Sequence, residues 1–273
     1  MTRNDVLSRR PVYREDLLAG QQILVSGGGT GIGQGIALLC GELGASVIVC
    51  GRRPEPLEET RRLLESGGAS CVVRPTNIRE PDEVDALFAE CGPVDAVVNN
   101  AGGQFPSHAL EISDGGWKAV IETNLTGSWT MMQRAARQWR EANRPGSIVN
   151  IIAPYERGLH GVAHTVAARA GVAYLSRNLA IEWAPLDIRV NCVLPGGIST
   201  RGLEVYDEEV RHGMADAVPM GRLGEVQDIA EAVVYLIAPS GGFITGETLT
   251  VDGGLQIHGE LWQAGKPSGW SER

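Results

Sequence analysis

The sequence predicts an α/β fold: one domain built on a doubly wound parallel sheet with helices on both faces. Three observations predict it. Short apolar runs alternate with longer segments of helical periodicity between residues 22 and 251. Many of the runs are apolar at consecutive positions, so both faces of those strands must be covered, as in a parallel sheet between two helical layers. A glycine-rich turn, Val25-Ser-Gly-Gly-Gly-Thr-Gly-Ile-Gly33, joins the first run to the first helical segment.

The elements follow in order. Gln22–Val25 reads as a buried strand and Ile32–Leu43 as a helix, with Ile32, Ile36, Leu39 and Leu43 on one face. Ser46–Cys50 is the second strand, and Pro54–Ser66 an amphipathic helix with proline near its start. Ala69–Arg74, Asp82–Glu90 and Val94–Val98 continue the alternation. Trp117–Asn143 reads as one long helix stopped by Pro145-Gly146, and Ser147–Ile152 as the fifth strand. Val162–Trp183 is helical, Ile188–Leu194 the sixth strand, Glu225–Ile237 the last helix and Thr248–Val251 the last strand. Residues 1–20 are polar and read as a lead-in arm. Residues 21–255 form the domain, and 256–273 a C-terminal extension. Residues 199–220 are polar and poorly periodic. Gly202 and Gly213 within them, and Gly221 just after, make them a candidate lid.

With 273 residues, 43% of them hydrophobic, the chain can bury a large core. A net charge of −9 without a basic block argues against nucleic acid. No run is long enough to span a bilayer. Cys40, Cys50, Cys71, Cys91 and Cys192 lack metal-ligand spacing and read as free thiols in a reducing compartment, so a cytoplasmic protein without a metal is expected.

The glycine turn carries the first functional expectation. Between a strand and a helix N-terminus, unpaired peptide N–H groups and the positive end of the helix dipole suit a phosphate. Gly27, Gly29, Thr30, Gly31, Ile32 and Gly33 are therefore candidate cofactor contacts, with glycine expected to let a pyrophosphate reach the backbone, in a Rossmann-type domain. The second strand ends Cys50-Gly51-Arg52-Arg53. Two guanidinium groups where an acid would meet a ribose 2′-hydroxyl favour a 2′-phosphate, hence NADP(H).

Further segments, in order and spacing, resemble the short-chain dehydrogenase/reductase family: Asn99-Asn-Ala-Gly102, Asn124 within Glu-Thr-Asn-Leu-Thr-Gly127, Pro195-Gly-Gly-Ile-Ser-Thr200, Phe243-Ile-Thr-Gly246 and Val251-Asp-Gly-Gly254. The resemblance covers roughly residues 20–255. It adds Asn77, Ile78, Asn99, Ala101, Gly102, Pro195, Gly196, Ile198 and Thr200 to the cofactor set, and implies pairing of the two long helices into a homotetramer.

The family's usual Ser, Tyr and Lys do not match. Aligned on Ala167-Ala-Arg-Ala-Gly171, the Tyr position is Thr165, the Lys position Arg169 and the Ser position Ala153. An aliphatic hydroxyl cannot replace a phenol as an acid near neutral pH. The segments around Asn99, Asn124, Ala153 and Thr165 are similar to trans-2-enoyl-CoA reductases, and 2,4-dienoyl-CoA reductases share the same general plan. Both deliver hydride to carbon, which needs donors for a thioester enolate more than a phenolic acid. The catalytic candidates are then Asn124, Tyr155, Thr165 and Arg169, acting on an acyl thioester with NADP(H), and Arg169 is also expected to bind the cofactor at the nicotinamide ribose. His164 reads as a pocket-wall histidine. Two rival readings stay open: an alcohol or ketone dehydrogenase using a displaced Tyr155, and a non-catalytic NADP-binding protein.

Overall fold

The computed structural model describes residues 2–156, 159–200, 202–203 and 213–258. Seven parallel strands form one sheet in the order β3-β2-β1-β4-β5-β6-β7. They are β1 Gln22–Ser26, β2 Ser46–Gly51, β3 Cys71–Pro75, β4 Ala96–Asn99, β5 Gly146–Ile151, β6 Ile188–Pro195 and β7 Thr248–Val251. The order reverses between β1 and β4, so the crevice above their carboxyl ends is the topological switch point.

Helices cover both faces. On one side α1 (Gly31–Glu42), α2 (Pro54–Ser66) and a last helix, Val226–Ile237, build a core with Ile36, Leu39, Leu57, Leu64, Ile229 and Val233. On the other, α3 (Pro81–Cys91), α5 (Ser128–Ala142) and α6 (Ala163–Trp183) lie against the sheet, and α4 (Asp114–Ile121) packs on α6. Val84, Phe88, Met131, Met132, Trp139 and Leu179 fill that core. The last helix, α7, starts with a capping box between Glu225 and Asp228.

Two expectations are corrected. Trp117–Asn143 is not one continuous helix. A π-helical turn, Glu122–Gly127, separates α4 from α5, and Asn143 ends α5 in the left-handed conformation at φ 48°. Residues 2–20 do not trail as a polar arm. Leu7 and Leu18 are fully buried in the α1–α7 core. Arg9 bonds Asp228 and Glu231 of α7, each at 2.9 Å. Each buried leucine contributes about 1.5–3 kcal/mol of transfer free energy, which an apolar pair hidden in a polar stretch does not advertise. Of the candidate lid, residues 201 and 204–212 lie outside the described residues. So do residues 259–273 of the C-terminal extension. Among the described residues no helix is long and apolar enough to cross a membrane.

Candidate active site

The glycine turn is built by its neighbours. Gly27 and Gly31 have φ of +66° and +55°, where an L side chain is strained. Asn100 Nδ2 donates to the carbonyls of Ser26 and Gly27 at 3.1 Å each, and Ser26 Oγ accepts from the N–H groups of Asn100 and Ala101. From α2, Thr60 Oγ1 donates to Gly28 O at 3.0 Å and itself accepts from Gln34. A Cβ on Gly33 would lie 2.3 Å from Gly27 O, one on Gly27 2.8 Å from Asn100, and one on Gly29 3.0 Å from Pro56. At these positions the protein's own packing already requires glycine. Gly31 is different: its Cβ direction meets only Thr200, at 3.6 Å. The loop after β6 thereby faces the start of α1. Thr30 is exposed, its side chain caps nothing, and no acid occupies the first turn of α1. Ile32 is half-buried against the core. These features fit an anion at the helix N-terminus.

Around this turn the other predicted contacts divide. Arg52 and Arg53, at the carboxyl end of β2, are exposed and in no ion pair with a described residue. Asn77 Oδ1 accepts from Arg79 N–H at 3.3 Å. Ile78 is buried against Gly127 of the π-turn. Asn99 turns into the sheet, where Nδ2 donates to Asn150 Oδ1 at 2.8 Å, so its side chain serves β4–β5 rather than the crevice. Pro195 ends β6, and a Cβ on Gly196 would meet Asp252 Cα at 2.7 Å. Ile198 is buried and bridges Gly224.

The catalytic candidates gather where the π-turn meets α6. Arg169 is buried, and its guanidinium donates to Asn124 O at 3.4 Å and Ala101 O at 3.3 Å. Burial, unrelieved by any carboxylate among the described residues, lowers its pKa to about 10. Gly102 is glycine because a Cβ there would sit 2.1 Å from Arg169 Nη2. Asn124 departs from its expected role as an enolate donor. Its Oδ1 accepts from Gly103 N–H at 2.9 Å and its Nδ2 donates to Gly103 O at 3.0 Å, so the amide holds the Gly102–Phe105 loop. Thr165 is buried, with Oγ1 3.3 Å from His164 Nδ1. Tyr155 is half-buried and shares an apolar cluster of Ile152, Val172 and Cys192 with Leu125, next to Asn124. His164 is fully buried with its ring against Phe105. Sequence reasoning placed Gly103, in the Gly102-Gly-Gln-Phe105 extension, at the substrate mouth, and assigned no site role to Ser26, Gln34, Thr60 or Asn100. The signal for Ser26 and Asn100 was a polar residue closing an otherwise apolar strand.

A parallel sheet with a glycine turn at its switch point, facing a buried cation on α6, defines a dinucleotide-binding oxidoreductase. The family model described as enoyl-(acyl carrier protein) reductase matches residues 27–256. The chain belongs to this family, within the short-chain dehydrogenases/reductases. It is 36% identical over 245 residues to a Bacillus subtilis protein described as a 2,4-dienoyl-CoA reductase, covering 86% of this chain and 96% of the relative. It is 34% identical over 264 residues to the peroxisomal 2,4-dienoyl-CoA reductase of Arabidopsis thaliana, covering 90% and 87%. Among solved structures, an Agrobacterium tumefaciens protein described as a 2-deoxy-d-gluconate 3-dehydrogenase, with bound NADP, superposes at a TM-score of 0.84. That pair is 32% identical, over 90% of this chain and 100% of the other.

Proposed function

We propose that the protein is an NADPH-dependent reductase of 2-enoyl or 2,4-dienoyl acyl-CoA thioesters. The observation that carries this reading is the pair Thr165 and Arg169 on α6, with Ala153 after β5. No phenol stands at position 165 to protonate a carbonyl oxygen, yet a cation remains beneath the crevice. The names of the Bacillus and Arabidopsis relatives agree with hydride delivery to carbon.

A bound NADPH supplies the hydride. The chain's residues bind and orient. The open N-terminus of α1 takes the diphosphate, and Arg52 and Arg53 take the 2′-phosphate. Arg169, with donors only weakly engaged by two carbonyls, takes the nicotinamide ribose hydroxyls. Asn124 fixes the loop that borders the substrate. Tyr155 donates to the thioester oxygen or protonates the α-carbon. The test is NADPH consumption across enoyl-, dienoyl- and ketoacyl-thioesters and simple ketones. Turnover of a 2-enoyl-CoA with little ketone reduction is expected, and the reverse pattern overturns the reading.

A second reading, an alcohol or ketone dehydrogenase that uses Tyr155, is favoured by the description of the Agrobacterium relative as a 2-deoxy-d-gluconate 3-dehydrogenase. The same panel separates the two. We further propose a homotetramer in a reducing cytoplasm, resting on the exposed Tyr174 and Ile181 of α6, 76% and 79% accessible, and on the open edge of β7.

A further inference from the structure

The first turn of α6 carries a histidine whose hydrogen bonding is half complete. His164 is fully buried. Its Nδ1 accepts from Thr165 N–H at 2.8 Å, an N–H shared with Val162 O at 2.9 Å, and lies 3.3 Å from Thr165 Oγ1. A ring nitrogen that accepts an N–H carries no proton of its own, so the neutral imidazole holds its proton on Nε2. That Nε2–H has no hydrogen-bond partner among the described residues. With Nδ1 accepting, Nε2 is a buried donor in want of an acceptor.

Its surroundings say where an acceptor comes from. The Phe105 ring meets the imidazole edge to face, with centroids 4.5 Å apart at 77°. An aromatic face accepts an N–H only weakly. Phe105 is 38% exposed, so the ring that packs on His164 also meets solvent. Phe105 ends the run Gly102-Gly-Gln-Phe105. The start of that run abuts Arg169, and Asn124 holds Gly103 within it. His164 and Arg169 therefore lie beneath opposite ends of one four-residue loop, with Thr165 next to His164 on the helix.

We propose that His164 is the donor for the substrate's carbonyl oxygen. Its Nε2–H hydrogen-bonds the thioester oxygen when Phe105 turns aside, and the bond strengthens as that oxygen gains negative charge. The proton stays on the imidazole, and Thr165 N–H holds the tautomer from the other side. The inference rests on the enoyl thioester reading, supplies the electrophilic group that Thr165 and the engaged Asn124 do not, and leaves to Tyr155 the other of its two proposed roles, protonation of the α-carbon.

Asparagine and glutamine separate the two sides of the ring, because Asn offers an acceptor near Nδ1 while Gln reaches the position of Nε2. His164→Asn is expected to keep its thermal midpoint and its NADPH affinity. It should lose roughly tenfold or more in kcat/KM for trans-2-hexenoyl-CoA, the loss of one hydrogen bond to a charged oxygen. His164→Gln should recover most of that loss. A second measurement needs no turnover: in protein labelled with 15N-histidine, the His164 Nε2–H proton resonance should move downfield on titration with hexanoyl-CoA, a saturated thioester. An unchanged kcat/KM in His164→Asn, or an Nε2–H resonance that hexanoyl-CoA does not move, overturns the role of His164. If the unmodified enzyme oxidises no NADPH with any enoyl thioester, the thioester reading fails instead, and the resonance still reports whether His164 meets a carbonyl.

Discussion

At the scale of single residues, Arg169 sets the terms. A guanidinium held in the interior by two long bonds to carbonyls is costly to keep charged, which is why its pKa falls to about 10. The linkage sign follows. Above pH 10, up to the ordinary arginine range, the folded chain binds fewer protons at this group than the unfolded chain, so stability rises with pH across that window. Below pH 10 the cost of burial is fully present. Arg169→Met should remove that cost, leaving thermal stability unchanged or higher while NADPH affinity falls roughly tenfold or more. A parallel loss of stability and affinity would make Arg169 a mere packing residue. The exposed pair Arg52 and Arg53 gives the opposite kind of test. Changing both to Ala should weaken NADPH far more than NADH in a binding titration, by about 1.5–3 kcal/mol for each charged hydrogen bond lost. Equal affinity of the unmodified protein for both cofactors would refute the 2′-phosphate assignment. Residue types of this kind were legible in the sequence, but their partners were not. Asn124 stood out as an asparagine, yet that Gly103 engages both ends of its amide depends on a loop 21 residues away. His164 read as a wall residue because only the fold reveals which ring nitrogen is satisfied.

At the scale of elements, strand and helix alternation transferred almost intact, because burial on both faces leaves a plain apolar run. The π-turn did not. It inserts a fraction of a turn into a segment whose apolar spacing continues on either side, so periodicity reads through it. The turn brings Asn124 back toward Gly103 and its carbonyl toward Arg169. The glycine turn was recognised by composition, while its packing was hidden. Gly33→Ala drives a Cβ into Gly27 O, a backbone atom with little room to give. A loss of about 1–3 kcal/mol in denaturant unfolding is expected, together with loss of cofactor binding. Gly102→Ala should instead spare the fold and mimic Arg169→Met, because the group it meets is the end of a flexible side chain.

At the scale of the molecule, the sheet encloses its thiols. Cys40 and Cys50 are pushed up to about 12 by burial, and Cys192 to about 11. Native protein at pH 8 should therefore expose at most the half-buried Cys91 to DTNB, and all five thiols after denaturation. Rapid reaction of several thiols in the native state would contradict this core. Light scattering at micromolar concentration tests the proposed tetramer, and a monomer mass with and without NADPH excludes it. Two apolar layers were legible as a consequence of the alternation. That residues 2–20 belong to one of them was not, since Leu7 and Leu18 find their partners on α1 and α7 rather than nearby in sequence. The seam between α1 and α7 is close enough that a Cβ on Gly35 would overlap Val226. It also fixes a timetable for biosynthesis. The first helix to leave the ribosome waits for the last: about 190 residues separate Gly35 from Val226, or about 10–40 s of translation. Through that interval the side of α1 that faces α7 has no native cover, and a nascent chain halted before α7 is the form most in need of a chaperone.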